Sequence, residues 1–420
     1  MWRDPEVIVA VRERDAQAVV RFLRRRVSSL TQEALASMCR VAQSTITRAE
    51  AGRGLTDRRR AYQALEGLGA PGVGDNPELT TPQETPVPSP GHAPDRGFPR
   101  DLLTLQENLW RSTRSPQRAR ITHQADGVLA AIVSLDDQVG GGDLFLPLDR
   151  YLSQLSAAVD RDGSGMDTLG PLSQMVGWIA MDAGNHGAAR RHLTTAIYAG
   201  HETGDTDLAA SALSYWSLQD TYLNRPRQAL ALARTAVEIG AAASPLVTST
   251  LHARLARAHA KLGNLSDARS SIERMHTAFD HARRAGESPV WVSYVDEVEV
   301  AAQTGATYLD LGLFDEAITA LNSALTLLKE RAPHRLRDQS HYLVRVARAH
   351  LALGDVETAC AVATKAVELA ETIRSPRVND RIGEFRSEVL VWKVAEPAQR
   401  FLCRSQGLTT PQSSAGEPVS

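Results

Sequence analysis

The sequence predicts an all-α protein with two helical regions separated by a proline-rich segment. Residues 1–70 contain short amphipathic stretches that follow capping residues, and residues 169–405 repeat a helical motif five times. Residues 71–99 carry eight prolines and few large apolar side chains, a composition that buries too little surface to fold. We therefore expect two helical domains joined by a linker.

The overall composition is that of a soluble globular protein. The 420 residues are 43% hydrophobic and 23% charged, with a net charge of −2. Residues 1–70 hold thirteen Arg against eight Asp and Glu, and a basic front suits a small nucleic-acid module. No apolar run approaches the roughly 20 residues that span a bilayer, so we expect no membrane partner. The charged N-terminal stretch leads us to expect no signal peptide and a cytoplasmic location.

The titratable residues show no pattern of an enzyme or a metal site. The cysteines Cys39, Cys360 and Cys403 are scattered, as expected for thiols in a reducing compartment. The histidines lack paired-ligand spacing, and no nucleophile–base arrangement has a local signature. We expect no catalytic residues, no metal and no cofactor.

Five short helices fit within residues 1–70. Asp15, Thr31 and Asp57 can each cap a helix. The second of these helices has Leu35 and Met38 on its inner face. We expect this region to fold as one small helical domain.

Residues 30–54 have the pattern of two helices joined by a tight turn. The first helix is predicted over 31–38, the turn over 39–41 and the second helix over 43–51. Such a pair places the first turn of its second helix in the DNA major groove. Two positions are unusual for this pattern: Arg40 replaces a glycine and Ala42 replaces a capping serine. Each replacement costs about 1 kcal/mol of local stability, and neither removes an outward-facing side chain.

The second helix carries the predicted base contacts. Gln43 can make the paired hydrogen bonds by which amides recognise adenine, and Ile46 is expected in the core. Phosphate contacts are expected from nearby arginines, which add affinity without sequence information. The predicted DNA-contacting residues of this helix and its flank are Gln43, Ser44, Thr45, Thr47, Arg48 and Arg53. The alternative is a trihelical module that contacts only protein.

The phrase "LTQE…QS" within this stretch resembles the lambda-repressor-like (XRE-type) helix-turn-helix family. The resemblance implies that the leading glutamine of the first helix holds a phosphate and braces the glutamine that reads the base. Carried over, Gln32 is the brace and Gln43 the reader.

Residues 169–405 repeat a turn followed by small residues. The turn residues are spaced 39 to 49 apart: Gly184, Asn224, Gly263, Gly312 and Gly354. Gly or Asn closes a helix in the left-handed conformation, and an Ala five residues later allows close helix approach. One such unit cannot bury its apolar face alone, so the units are predicted to stack into an α-solenoid. Residues 100–168 are expected to form a helical lead-in, and residues 406–420 a disordered tail.

The repeat resembles the second half of the tetratricopeptide repeat. Gly177 and Gly305 match the small residue of its first helix, and Tyr308 its tyrosine. With "DPEV", "GWIAMDAG", "WVSYVDEVEVA" and "IRSPRVNDRI", the chain resembles actinobacterial regulators that combine an XRE-type domain with C-terminal tetratricopeptide repeats. The resemblance implies a transcriptional regulator whose helix-turn-helix domain binds operator DNA. Because one domain covers only a half-site, we expect a homodimer.

The repeats are expected to bind a peptide, a small molecule or a protein in their concave groove. In the tetratricopeptide register, this groove includes Trp178, Arg254, Arg257, Gln303, Arg345 and Arg348. The arginine pairs three residues apart suit a carboxylate, although solvated arginines are the alternative. The segment 291–300 is either part of a pocket or core. The alternative for the whole chain is a tetratricopeptide scaffold whose front domain no longer reads DNA.

Overall fold

The computed structural model describes residues 1–73, 129, 131–132, 141–158, 165–285, 288–373 and 375–408, without the side chain of Asp143. Every regular element in these ranges is helical, which confirms the predicted all-α class. None of the helices in the described ranges is long and apolar enough to cross a bilayer. The predicted linker beyond Val73, most of the 100–168 lead-in and the tail after Leu408 lie outside the described residues.

Five short helices form the N-terminal domain: α1 (Pro5–Arg12), α2 (Ala16–Arg26), α3 (Gln32–Cys39), α4 (Gln43–Glu50) and α5 (Arg58–Gly67). The side chains of Asp15, Thr31 and Asp57 accept hydrogen bonds from backbone N–H groups three residues on, at 2.9 to 3.0 Å, so all three predicted caps are confirmed. These bonds satisfy donors that have no partner within the helix.

The core of this domain is built where the apolar spacing predicts it. Leu35 and Met38 of α3, Ile46 of α4 and Leu65 of α5 are each at most 1% exposed. Full burial of such a side chain stabilises a fold by roughly 1.5–3 kcal/mol. α3 and α4 are thereby held against α2 and α5.

The rest of the described chain is an array of longer helices: α6 (Gly141–Ala158), α7 (Met166–Asp182), α8 (His186–Thr203), α9 (Thr206–Tyr222), α10 (Pro226–Ile239), α11 (Pro245–Lys261), α12 (Leu265–Ala285), α13 (Glu297–Leu311), α14 (Phe314–Arg331), α15 (Leu336–Ala352), α16 (Val356–Ala370), α17 (Pro376–Val389) and α18 (Glu396–Arg404). From α7 to α16 they pack as five consecutive hairpins.

The turn inside each hairpin has the predicted left-handed residue. The φ angles are +75° at Gly184, +55° at Asn224, +73° at Gly263, +76° at Gly312 and +83° at Gly354. Glycine adopts this conformation without a Cβ clash, and asparagine tolerates it better than most residues. This prediction is confirmed.

The hairpins stack in two layers. The first helices α7, α9, α11, α13 and α15 contact one another in sequence and form the inner layer. A Cβ at Gly305 would lie 2.6 Å from Cγ of Leu321, so a small residue is needed where α13 crosses α14. The segment 291–300 is divided between a short 3-10 turn, in which Trp291 is buried in the core, and α13, which begins at Glu297.

The N-terminal domain packs against the outer layer of the array. α3 contacts α10, while α2 and α5 contact α8. This docking decides which surfaces of the N-terminal domain face solvent.

Candidate functional site

The outer face of α4 is exposed with the domain docked. Gln43, Ser44, Thr47 and Arg48 are all exposed, as is Arg53 just beyond the helix. The structure therefore brings five of the predicted DNA-contacting residues together on one open surface. The arginines at 58–60 at the start of α5 are exposed as well.

Thr45 does not belong to this surface. Its side chain is 6% exposed, and its hydroxyl accepts a hydrogen bond from Arg48 at 3.4 Å. Thr45 and Ala49, four residues apart, both point into the domain. Its prediction as a DNA contact is corrected on this ground: it supports α4 from the inside.

Gln32 lies beside the face rather than on it. Its amide donates to Glu50 at 2.5 Å, and its carbonyl oxygen accepts from the Thr47 hydroxyl at 3.1 Å. The resemblance implies that Gln32 supports the side chain of Gln43. In this structure Gln32 instead forms its hydrogen bond with Thr47. Glu50 also accepts a hydrogen bond from Arg24 at 2.7 Å, which offsets its negative charge beside the outer face of α4.

Arg40, the first of the two unusual residues, lies in the turn between α3 and α4. Arg40 adopts the left-handed conformation, with φ 56° and ψ 38°, so this position does disfavour a side chain. Its guanidinium pairs with Glu66 of α5 at 3.2 Å. Burial lowers the pKa of Arg40, and the nearby Arg225 of the array lowers it further. Arg40 thus points to the docking interface, away from the α4 face.

The docking interface combines hydrogen bonds with ring packing. The Thr31 hydroxyl lies 2.8 Å from that of Thr235 on α10, and the Thr194 hydroxyl of α8 donates to the Leu68 carbonyl at 3.1 Å. Phe22 stacks on Tyr198 with ring centroids 6.0 Å apart.

The second unusual residue, Ala42, is exposed and gives α4 no side-chain cap.

A second candidate site lies within the array. A cavity of about 80 Å³, here called the inner cavity, is lined by Met175, Trp178, Tyr215, Leu218, Tyr222, Arg254, Tyr294, Glu299, Gln303, Arg335, Arg337, Asp338, His341, Tyr342, Arg345 and Arg377. Four of the six predicted groove residues are in this list. They come from α7, α11, α13 and α15, which places them on the inner layer.

A neighbouring cavity of about 290 Å³, here called the side cavity, contains the other two. Arg257 and Arg348 line it together with Arg345 and Arg377. Arg257 pairs with Asp310 at 2.6 Å and Arg348 with Glu388 at 2.7 Å. These two arginines are therefore engaged in ion pairs within the array, and the residues predicted to line one groove are divided between two neighbouring cavities.

The wall of the inner cavity includes residues that the repeat pattern did not single out. Arg377 of α17 pairs with the fully buried Asp182 of α7 at 2.7 Å, across 195 positions of sequence. Its guanidinium also lies 4.6 Å from the Trp178 ring centroid. Arg337 of α15 is 3.7 Å from the same carboxylate. α17 thus contacts the first hairpin and contributes Arg377 to the wall of the inner cavity.

Several polar atoms in the inner cavity have no hydrogen-bond partner among the described residues. They are Nε and Nη1 of Arg254, Oε1 of Gln303 and Nε2 of His341, in side chains that are 3%, 6% and 7% exposed. The carboxylate of Glu299 lies 3.7 Å from Arg254 Nη1, beyond hydrogen-bond distance. Unpartnered buried donors and acceptors are costly, and in native proteins they commonly mark a bound water, ion or ligand.

The electrostatic field of the cavity is positive. Burial raises the pKa of Tyr222, but Arg377 and Arg345 lead an opposing effect that lowers it to about 8. Burial and then Arg377 hold the pKa of His341 well below its usual range, so its imidazole is neutral. The cavity is therefore suited to a negatively charged group.

Within the described ranges, no group of three His, Cys, Asp or Glu side chains is arranged to hold a metal ion. Neither a scan of protein-family models nor a search of curated proteins finds a match to this chain.

Proposed function

We propose that this protein is a DNA-binding transcriptional regulator whose helical array senses a ligand or partner. The observation that carries the proposal is the row of exposed polar side chains on α4, at Gln43, Ser44, Thr47 and Arg48. The docked array leaves this row open, and the first turn of α4 is the part that a helix-turn-helix pair places in the major groove.

The local geometry supports the helix-turn-helix interpretation. α3 and α4 are linked by a turn of three residues, and Ile46 holds α4 against the domain core. Arg53 and the arginines at 58–60 add positive charge beside the proposed reading face. Such charges contribute affinity for any duplex, whereas Gln43 supplies selectivity.

The hairpin geometry supports a tetratricopeptide-like array. Each hairpin turns at a left-handed Gly or Asn, and Gly177 and Gly305 lie at close helix crossings, beside Leu193 and Leu321. We propose that the protein acts as a homodimer whose two heads contact half-sites about one DNA turn, or 34–36 Å, apart.

The docking contacts give this mechanism a direct route. Because α8 and α10 carry the N-terminal domain, a shift of these helices moves α4 with them. Transmission then does not depend on the proline-rich linker. A ligand that changes the packing of the hairpins changes the distance between two heads.

A scaffold function is the second candidate, and the docking interface is compatible with it as well as with a regulator. A front domain that had lost DNA binding would retain contacts such as Thr31 with Thr235. In that case the α4 face would not bind DNA. The two candidates therefore differ only in what that face binds.

Selection of genomic fragments on the full-length protein, followed by fluorescence anisotropy, distinguishes them. We expect salt-dependent binding of selected duplexes. Gln43→Ala should abolish the preference for the selected sequence, whereas Arg58→Ala should weaken binding to all sequences about equally. Arg269→Gln, at an exposed position on α12, is the control. If neither Gln43→Ala nor Arg58→Ala alters DNA binding, the regulator proposal fails.

A further inference from the structure

The walls of the inner cavity carry more positive than negative charge. Five arginines line it against two carboxylates, Glu299 and Asp338. Asp182, behind the wall, pairs with Arg377 and Arg337. Buried cations without full compensation destabilise a fold. The arginines therefore need an explanation other than packing.

Arg345 is the clearest example. None of the ion pairs among the described residues includes it, although its neighbours Arg257, Arg335 and Arg348 each have a carboxylate partner. It lies where the inner and side cavities meet, since it lines both. Burial lowers its pKa, and Arg257 lowers it as well, while Tyr222 and Tyr342 partly oppose them. The Arg345 guanidinium lies 5.9 Å from the centroid of the Tyr342 ring and has no carboxylate partner among the described residues.

The remainder of the inner cavity is aromatic. Trp178, Tyr215, Tyr222, Tyr294 and Tyr342 contribute to its walls. Trp178 and Tyr215 are tilted against each other with centroids 5.7 Å apart. Flat apolar walls with a few converging polar groups are typical of sites for small organic molecules. The inner cavity of about 80 Å³ shares Tyr222, His341, Arg345 and Arg377 with the side cavity of about 290 Å³. Together the two reach the roughly 300 Å³ at which sites for small organic molecules begin.

We propose that the inner cavity binds a small organic anion, with a planar ring among the aromatic side chains and a carboxylate or phosphate group held by Arg254 and Arg345. The unpartnered Arg254 Nε and Nη1 are donors for the acidic group, because guanidinium groups bind carboxylates and phosphates through paired hydrogen bonds. The unpartnered Gln303 Oε1 and His341 Nε2 remain for polar atoms on the ring. The side cavity provides the route of entry past Arg345. This inference names the ligand class for the sensing half of the proposed function and does not depend on DNA binding.

The test measures binding of four probes to the full-length protein by calorimetry: phenyl phosphate, benzoate, benzyl alcohol and inorganic phosphate. We expect phenyl phosphate or benzoate to bind, and the stronger of the two identifies the acidic group. The neutral benzyl alcohol and the ringless phosphate should each bind at least about tenfold more weakly, because a lost charged hydrogen bond or a lost stacking contact is worth about that factor.

Arg345→Gln should weaken binding of the preferred probe by about tenfold or more, and Arg345→Lys by less, since it keeps the charge but loses the paired donors. Arg269→Gln is the matched control at an exposed arginine and should bind as the wild type does. Arg345→Gln should also unfold at the same or a higher temperature without ligand, since it removes a partly buried charge that has no carboxylate partner among the described residues. This second readout separates a binding role from a structural one.

The proposal is overturned if none of the four probes binds at millimolar concentration, if benzyl alcohol binds as tightly as the anions, or if Arg345→Gln and Arg269→Gln bind alike. Inorganic phosphate equal to phenyl phosphate would contradict the ring component. Since no assay here contains DNA, failure of this proposal leaves the DNA-binding proposal intact. Loss of the DNA-binding proposal likewise leaves this one intact.

Discussion

Arg40 and Glu66 form an ion pair at 3.2 Å, and Arg190 of the array lies 4.0 Å from the same Glu66 oxygen. A residue that departs from the usual turn glycine therefore takes part in joining the N-terminal domain to the array. The left-handed backbone of Arg40 costs about 1 kcal/mol relative to glycine. Its contact with Glu66 offsets that cost, and glycine could not make it.

The first prediction concerns this shared carboxylate. Glu66→Gln should destabilise the full-length protein by about 1–2 kcal/mol, because two partly buried guanidinium groups lose their anionic partner. Chemical denaturation measures the loss, and hydrogen exchange along α8 should rise as the domain undocks. Glu13→Gln, at an exposed position, is the control. Identical exchange in the two variants would mean that Glu66 does not hold the domain.

The second prediction uses two glycines with the same backbone conformation. Gly69 has φ +75° and Gly72 φ +71°. A Cβ at Gly69 would overlap the backbone nitrogen of Arg191 on α8, whereas one at Gly72 would meet no atom of the described residues within 4 Å. Gly72→Ala should cost only the conformational term of about 1 kcal/mol. Gly69→Ala should cost about 1–3 kcal/mol more, since α8 must move. Calorimetry measures both, and equal losses would contradict the docked arrangement.

Local features of the fold were predictable because their causes are local. A capping side chain bonds to a backbone group three residues away, and a left-handed turn depends on one residue, so Thr31 and Gly312 were both interpreted correctly. The inward position of Thr45 was also available from helical spacing, since it lies four residues before the buried Ala49. Its prediction as a DNA contact did not use that spacing.

Features that depend on distant contacts were not predictable. Arg377 reaches Asp182 across 195 positions, and no repeat register indicates that α17 contributes to the wall of the inner cavity. The repeat register did place Trp178, Arg254, Gln303 and Arg345 together, because stacking puts equivalent positions on one face. It could not show that Arg257 would be neutralised by Asp310, since that pairing depends on the packing of two neighbouring hairpins.

The third prediction concerns the pH dependence of stability, to which two residues beside the docking interface contribute with opposite sign. Burial lowers the pKa of His186 to about 4, and burial raises that of Asp220 to about 6. Between pH 4 and 6.5, His186 is protonated in the unfolded state but neutral in the folded state. Its contribution to stability therefore falls as the pH drops from 6.5 to 4. The folded Asp220 keeps a proton that the unfolded state loses above its ordinary pKa near 4. Its contribution therefore falls as the pH rises to 6.

Because these slopes oppose each other, removal of either group should change how the unfolding free energy depends on pH between 4 and 6. Relative to the wild type, His186→Asn should lose stability as the pH rises across this range, by no more than about 2 kcal/mol, because His186 then no longer opposes the Asp220 slope. Asp220→Asn should show the reverse. Urea denaturation at several pH values measures both slopes. Parallel curves for the two variants would contradict the assigned signs.

The last prediction concerns Tyr222, whose phenol reports the field of the inner cavity. With its pKa lowered to about 8, one tyrosinate should form between pH 7 and 9, detected by absorbance near 295 nm. Burial raises the pKa values of Tyr215 and Tyr342 well above the usual range, so these two should not contribute to that step. Tyr222→Phe should remove it. Arg377→Gln should move it to higher pH, because Arg377 contributes the largest lowering effect.

The same titration has a consequence for stability. The folded Tyr222 loses its proton near pH 8, and the unfolded one near its ordinary value of 10. The unfolded state therefore binds more protons in this window, and stability rises from pH 8 to 10 and is lost as the pH falls back through 8. A bound organic anion would cancel part of the positive field and raise the pKa of Tyr222, so the tyrosinate would form at a higher pH. An unchanged step in saturating phenyl phosphate, in a protein that binds it, would place that anion outside the inner cavity.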